Sequence, residues 1–116
     1  MLNVAIIIER TEVGLGGAER SVSELTAELR RQGVAATILA AKGEPGEHTK
    51  ILCGDFTGKR VPLKMFEKSV RRHLETTPYD IVHSTLPLSI ADIYQPRGGS
   101  YRQAMLQNIV SYPWAV

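Results

Sequence analysis

A run of five consecutive apolar residues near the start of the chain, residues 4–8, constrains the fold more than any other feature. Such a run is typical of a parallel strand buried on both faces, because a half-exposed strand would alternate polar and apolar residues. A glycine-rich turn with Gly14, Gly16 and Gly17 follows, and a helical pattern then extends over residues 18–32. Strand, glycine turn and helix in this order predict the opening βα unit of a parallel sheet.

Strand and helix patterns alternate along the rest of the chain. The spacing of apolar residues predicts strands over residues 34–41, 79–84 and 92–95 and short strands over residues 51–53 and 60–62. It also predicts a helix over residues 63–76 and a last helix that follows the turn after Arg97 and ends before Pro113. This alternation predicts an α/β fold, a Rossmann-like three-layer sandwich in which helices cover both faces of a mainly parallel sheet. The second long strand is expected to run parallel to the first.

The helix over residues 63–76 has an amphipathic pattern. Its apolar residues Met65, Phe66, Val70 and Leu74 are expected to face inward, and its charged residues are expected to face solvent. His73 falls on the charged side and is expected to be solvated. The histidines show no metal-ligand spacing, and neither a metal nor another cofactor is predicted.

Length and composition limit the class of protein. The 116 residues are sufficient for one domain, which we place over residues 1–116. Fourteen basic residues against twelve acidic ones give a net charge of +2, which is too balanced to indicate a nucleic-acid partner. The single cysteine, Cys53, excludes an intrachain disulfide and fits a reducing compartment. Without an apolar run of roughly 18 residues or a signal peptide, a cytoplasmic location is expected.

Three segments of the chain resemble one enzyme family. The pentapeptide Gly-Gly-Ala-Glu-Arg at residues 16–20 is similar to the acceptor-domain loop of retaining glycosyltransferases of family 4, which have the two-domain GT-B fold. Residues 79–84, Tyr-Asp-Ile-Val-His-Ser, resemble the Asp-(Ile/Val)-(Val/Ile)-His strand of that family. Residues 91–99 resemble a segment in its lipopolysaccharide-core glucosyltransferase branch. The segments occur in the family's order and correspond to the first half of such an enzyme.

The resemblance implies a function for the parent protein. The parent would transfer a hexose from a nucleotide-sugar donor to a glycan or lipid-linked acceptor, and this chain would form half of the GT-B fold as its acceptor-side domain. In the family, most donor contacts come from a C-terminal donor domain. Because this chain lacks that domain, it is expected to be inactive by itself. The resemblance also allows a parent that is associated with a membrane.

The end of the chain is apolar. Residues 111–116, Ser-Tyr-Pro-Trp-Ala-Val, carry neither a helix cap nor a charged tail. A chain end left in water gains nothing from exposing Trp114. We therefore expect this chain to be a fragment of a longer protein. The alternative is a short protein that packs Trp114 against its own core or against a partner, which can be a second copy of the chain.

The candidate substrate-binding residues are Gly16, Gly17, Glu19, Arg20, His83, Ser84, Tyr94, Gln95, Arg97 and Gly98. Each lies at the end of a predicted strand or shortly after one, so the carboxyl edge of one sheet would bring them together. Each also has a structural alternative. The glycines can serve the turn alone, Glu19 is favourable at a helix N-terminus, His83 can be a structural residue at a strand end, and Ser84 can cap a next helix.

The charged and aromatic candidates differ in the chemistry that they offer. Arg20 opposes the positive end of its helix, which favours a contact with phosphate or sugar. Tyr94 and Gln95 offer a ring and an amide to a sugar, and Arg97 can pair with phosphate. In the resembling branch a His or Asp often lies near the position of Arg97, and an arginine, which stays protonated, cannot act as a general base. We therefore assign no catalytic residue.

Two other classes of function remain open on the sequence. One is a non-catalytic module that binds a nucleotide or phosphate through residues 14–20, and it predicts that free nucleotide binds this chain by itself. The other is a protein-interaction domain that docks through the end containing Trp114. That reading predicts self-association that depends on concentration and no binding of small molecules.

Overall fold

The computed structural model describes residues 2–11, 17–58 and 60–94. The elements in this part of the chain are β1 (Asn3–Thr11), α1 (Gly17–Arg31), β2 (Ala35–Gly43), β3 (Thr49–Ile51), α2 (Leu63–Thr76), β4 (Ile81–Ser84) and β5 (Ile93–Tyr94). The five strands form one sheet in the order β3-β2-β1-β4-β5. Each pair of neighbouring strands is parallel, which confirms the expected parallel sheet.

Alternate residues of the central strands pack against different helices. The face that packs with α1 contains Val4, Ile6, Ile8, Ala36, Ile38, Ala40 and Ile81 of the strands with Val22, Leu25 and Leu29 of the helix. The face that packs with α2 contains Ala5, Ile7, Leu39, Ala41 and Val82 of the strands with Phe66 and Val70 of the helix. This arrangement is the expected three-layer sandwich. It also explains the unbroken apolar run of β1, because that strand is buried on both faces.

The predicted helix over residues 63–76 coincides with α2, but the short strand predicted over residues 60–62 is wrong. Residues 60–62 form an irregular approach to α2. Pro62 has no amide hydrogen to donate to a sheet, and it instead occupies the N-cap position of the helix with φ −57° and ψ 140°. The helix predicted after Arg97 lies outside the described residues.

The expectation that Met65 faces inward is also wrong, because 43% of this residue is exposed. Phe66 and Val70 are buried and Leu74 is partly buried, as expected. Those three residues are four apart and share one side of the helix, whereas Met65 lies about 100° around the axis from Phe66. The side of α2 that meets the sheet is therefore narrower than the apolar pattern indicates.

β1 lies at the centre of the sheet, and the chain builds outward from it in two directions. The first half of the chain adds β2 and β3 on one side, and the second half adds β4 and β5 on the other side. In parallel α/β sheets, the carboxyl ends of the two strands at such a reversal border a crevice that binds ligands. The fold thus places a candidate site beside the carboxyl ends of β1 and β4.

Candidate functional site

The carboxyl ends of β1 and β4 are staggered. Their pairing ends with Ile7 opposite Ser84, while β1 continues beside β2 until Thr11 lies opposite Gly43. The chain after β4 leaves the sheet through an irregular segment, residues 85–92. The last residues of β1 therefore extend beyond the end of β4, and side chains from several elements meet beside them.

A cleft of about 340 Å³, which we call the edge cleft, lies beside the end of β1. It is lined by Glu9, Ala41, Arg60, Val61, Pro62, Leu63, Phe66, Leu86 and Pro87. These residues come from the ends of β1 and β2, the approach to α2, the first turn of α2 and the segment after β4. Apart from Glu9 and Arg60 the lining is apolar. A mainly apolar cleft of this size with a few polar groups is typical of a small-molecule site.

Glu9 and Arg60 form an ion pair within this lining. The Nε atom of Arg60 donates to Oε1 of Glu9 at 2.8 Å, and its Nη2 atom donates to Oε2 at 3.3 Å. Hydrogen bonding to Glu9 raises the pKa of the Arg60 guanidinium. The Arg60 side chain is 81% exposed, whereas that of Glu9 is 20% exposed. Glu9 therefore holds in place a guanidinium that still presents N–H groups to solvent.

The combination of this ion pair with an apolar lining suits a sugar. Hydroxyl groups can donate to a carboxylate and accept from a guanidinium, so neighbouring hydroxyls of one sugar can use both members of the pair. The C–H faces of the same sugar can pack against apolar side chains. The edge cleft thus has groups for both parts of a carbohydrate.

His83 is the most unusual residue at this edge of the sheet, because its side chain is fully buried. In the described part of the chain, neither ring nitrogen of His83 has a hydrogen-bond partner. Burial lowers the pKa of His83 to about 4. The ring is therefore neutral at pH 7, with one nitrogen as donor and the other as acceptor. Unpaired buried polar atoms are uncommon in folded proteins and call for a physical explanation, such as a ligand or water.

The hydroxyls next to His83 are occupied by the backbone. The Oγ atom of Ser84 donates to the carbonyl oxygen of Leu86 at 2.7 Å and accepts from the amide of Leu86 at 3.0 Å. The Oγ1 atom of Thr85 donates to the carbonyl oxygen of Ile7 at 3.0 Å. These bonds fix the turn after β4. No helix follows directly, so capping of a next helix, the structural role expected for Ser84, does not apply.

β5 places Tyr94 beside Ser84 in the register of the parallel pair. Tyr94 is 50% exposed, so its ring is accessible at the edge of the sheet. Asp92, just before β5, has a structural contact, because its carboxylate accepts a hydrogen bond from the amide of Val82 at 2.7 Å. The structure thus brings His83, Ser84 and Tyr94 to one edge of the sheet, as the sequence predicted.

The remaining predicted site residues are only partly described. α1 begins at Gly17, and Glu19 and Arg20 lie in its first turn. The first amide groups of any helix lack partners within the helix, which makes this end suitable for an anion. Outside the described residues lie Gly16, Gln95, Arg97 and Gly98, together with the apolar C-terminal end that contains Trp114.

Sequence reasoning missed Glu9 and Arg60, which are 51 positions apart in the chain. One signal was available for Glu9, since an acidic residue directly after a buried apolar run indicates where a strand begins to leave the core. Arg60 carries no comparable signal. Its position follows from the irregular approach to α2, which the sequence pattern had indicated as a strand.

The expectation that His73 is solvated is wrong. Its Nε2 atom lies 2.9 Å from the hydroxyl of Tyr79, and the side chain is partly buried. Burial is the main reason why the pKa of His73 is lowered, and the charge of Lys50 adds to the effect. Because Tyr79 precedes β4, this contact lies near the amino end of that strand, at the edge opposite the edge cleft.

Within the residues that the structure describes, no group of three His, Cys, Asp or Glu side chains could hold a metal ion. The helices in the same part of the chain are also too short or too polar to cross a membrane.

The sequence matches the profile of Glycosyltransferase Family 4 over residues 15–98. This match covers most of the chain, and the chain belongs to that family. It confirms the resemblance that three short segments indicated, and it includes α1, the approach to α2, and His83.

The fold is similar to that of the crystal structure of WaaG, a glycosyltransferase involved in lipopolysaccharide biosynthesis. The TM-score is 0.68 at 16% sequence identity, and the similarity covers 90% of this chain. It covers only 29% of WaaG, so this chain corresponds to less than a third of that protein. A comparison with curated proteins found no match.

Proposed function

We propose that this chain is the acceptor-side domain of a retaining glycosyltransferase. Its parent would transfer a hexose from a nucleotide sugar to a glycan or lipid-linked acceptor. Membership of Glycosyltransferase Family 4 supports the enzyme class. The similarity to WaaG, a glycosyltransferase involved in lipopolysaccharide biosynthesis, supports the fold. The resemblance of residues 91–99 to the lipopolysaccharide-core glucosyltransferase branch favours an acceptor of that type.

The observation that carries this proposal is the buried, unpaired ring of His83 at the carboxyl end of β4. A neutral imidazole offers one donor and one acceptor, and a sugar hydroxyl is both an acceptor and a donor. A hydroxyl that bonded to His83 would remove the cost of leaving its polar atoms unpaired. Because the ring is fully buried, the surrounding chain must shift before a ligand reaches it.

The edge cleft is the proposed subsite for the acceptor. Its ion pair would hold neighbouring hydroxyls through Glu9 and Arg60, and its apolar lining would contact the C–H face of the same sugar. The cleft lies on the face of the sheet that packs with α2. His83 lies on the other face, which packs with α1, because it is paired with Ile6 of β1. The two parts would therefore contact different portions of the bound substrates.

The N-terminus of α1 is the proposed contact for the donor phosphate. Backbone amides at a helix N-terminus attract an anion, and Gly17 at the first position lets a phosphate approach closely. Transfer also needs the donor sugar to be held in contact with an acceptor hydroxyl and the leaving diphosphate to be stabilised. In this family those contacts come mostly from a second domain, so we propose that this chain alone binds a nucleotide sugar weakly.

A binding measurement on the 116-residue chain tests this proposal. We expect core oligosaccharides from delipidated lipopolysaccharide to bind, with weaker binding of nucleotide sugars. A Glu9→Gln variant should lose oligosaccharide binding, whereas Glu75→Gln, which changes an exposed carboxylate on α2, should retain it. Tight binding of free nucleotide without any binding of oligosaccharide would instead support a nucleotide-binding module and contradict the proposal.

A further inference from the structure

One side of the edge cleft is formed by the chain that leaves β4. Leu86 and Pro87 of the irregular stretch 85–92, which we call the wall segment, line the cleft opposite residues of α2 such as Leu63 and Phe66. An irregular segment lacks the regular backbone hydrogen bonds of a helix or strand, so other contacts must hold it in position. The width of the cleft therefore depends on what holds the wall segment against α2.

The two ends of the wall segment are held by contacts close to β4. At its beginning, the Oγ atom of Ser84 bonds to both the carbonyl oxygen and the amide of Leu86. At its end, the amide of Asp92 donates to the carbonyl oxygen of Val82 at 2.8 Å, and the carboxylate of Asp92 accepts from the amide of Val82 at 2.7 Å. These contacts fix where the segment leaves the sheet and where it returns, but they do not fix how far its middle lies from α2.

The middle of the wall segment is bound by two side chains of α2. The Oε2 atom of Glu67 accepts hydrogen bonds from the amide and the hydroxyl of Ser89 at 2.7 and 2.9 Å. The Nη2 atom of Arg71 donates to the same hydroxyl at 2.9 Å. The hydroxyl of Ser89 thus donates to one side chain of the helix and accepts from the other, which orients it.

The bonds between Glu67 and Ser89 are of the strong kind. They lower the pKa of Glu67, so its side chain is a carboxylate at pH 7, and hydrogen bonds to an ionised acceptor are stronger than those between neutral groups. Glu67 directly follows Phe66, which lines the cleft, and Leu88 next to Ser89 is buried in the same apolar cluster as Phe66. One turn of α2 therefore supplies part of the cleft and holds the segment that forms its other side.

We propose that Glu67 is a positioning residue for the acceptor subsite, which acts through Ser89 to keep Leu86 and Pro87 at a fixed distance from α2. Glu67 lies outside the lining of the cleft, so this role needs no contact with the sugar. A wall that is already in place does not have to be ordered when a ligand binds, and affinity increases accordingly. The inference rests on the proposed function of the edge cleft.

Calorimetric titration of the 116-residue chain with delipidated core oligosaccharide tests this role. Glu67→Ala should weaken binding about tenfold, because the wall segment must then be ordered by the ligand. Glu67→Gln retains an oxygen that can accept both bonds from Ser89, so it should bind nearly like the unchanged chain. Glu75→Ala removes an exposed carboxylate eight positions further along α2 and serves as the matched control, with binding unchanged.

Hydrogen exchange of the backbone amides gives a second measurement, which needs no sugar. The amides of Leu88 and Ser89 should exchange faster in Glu67→Ala than in the unchanged chain, Glu67→Gln or Glu75→Ala. The amides of β1 should keep their exchange rates in all four proteins, which would show that the variants are folded.

Two results would overturn the inference. Equal losses of oligosaccharide binding in Glu67→Ala and Glu67→Gln would mean that the negative charge itself acts on the sugar, and unchanged exchange of Ser89 in Glu67→Ala would mean that Glu67 does not hold the wall segment. Failure of the proposed function has a different signature, because the unchanged chain would then bind no oligosaccharide. In that case the exchange of Ser89 alone decides whether Glu67 holds the wall segment.

Discussion

His83 lies opposite Ile6 in the parallel pairing of β1 with β4. Both side chains are fully buried, and Ile6 belongs to the apolar cluster that packs with α1. A ring with two polar nitrogens thus occupies a position where its neighbour on β1 is aliphatic. Burying those nitrogens unpaired costs about 1–3 kcal/mol for such a group, so His83 is expected to lower the stability of the fold.

Replacing His83 with leucine should therefore stabilise the fold. We expect His83→Leu to increase the free energy of unfolding at pH 7.5 by about 1–3 kcal/mol, because it removes unpaired polar atoms from the core. Urea denaturation measures the change. Ile81→Val, on the same strand and the same face, serves as the control and should decrease the free energy of unfolding by about 1 kcal/mol. A loss of stability in His83→Leu equal to that of the control would assign His83 a structural role.

Stability should also depend on pH through His83. Burial lowers its folded-state pKa to about 4, below the value of 6.5 for an exposed histidine. As the pH falls, the unfolded chain therefore binds the additional proton at a higher pH than the folded chain does. The contribution of neutral His83 to the free energy of unfolding is fully present above pH 6.5 and is lost as the pH falls through 4. The loss should approach about 3 kcal/mol.

Denaturation at several pH values between 4 and 7 measures this dependence. The free energy of unfolding of His83→Leu should vary clearly less with pH over this range than that of the unchanged chain. A smaller increase with pH should remain in the variant, because the pKa of His73 is also lowered by burial. Parallel curves for the unchanged chain and His83→Leu would show that His83 does not titrate in this way.

The ion pair of Glu9 and Arg60 should matter for binding and little for folding. Because Arg60 is largely exposed, we expect Arg60→Gln to leave the free energy of unfolding nearly unchanged. Loss of charge-assisted hydrogen bonds to a sugar should weaken oligosaccharide binding about tenfold. Calorimetric titration of the chain measures that binding. The control is Arg31→Gln, which breaks the exposed pair with Glu28 at the far end of α1 and should leave binding unchanged.

The 116-residue chain should not catalyse transfer. Incubation with a panel of nucleotide sugars and core oligosaccharides should release no nucleoside diphosphate above background, because the contacts at the N-terminus of α1 are too few to hold a donor in a reactive position. Turnover that is present in the unchanged chain and absent from Gly17→Pro would mean that this domain alone forms the active site.

The order of the elements could be predicted from local patterns. The apolar run of β1 and the alternation with α1 and α2 determined the class of fold, since each pattern depends only on neighbours along the chain. Met65 was placed wrongly because the apolar pattern of a first helical turn does not reveal how far the sheet extends beneath it. The edge cleft could not be predicted, because the contact between Glu9 and Arg60 depends on the stagger between β1 and β4 and on the path into α2.

The proposed acceptor site can be tested by nuclear magnetic resonance of the isotopically labelled chain during titration with delipidated lipopolysaccharide-core oligosaccharide. We expect shifts of the backbone amides of Glu9, Arg60 and Leu86 around the edge cleft and of the ring signals of His83. The ring signals of His73, at the opposite edge, should stay in place. Shifts confined to His73 and Tyr79, or no shifts at concentrations that saturate typical sugar-binding sites, would contradict the proposed acceptor site.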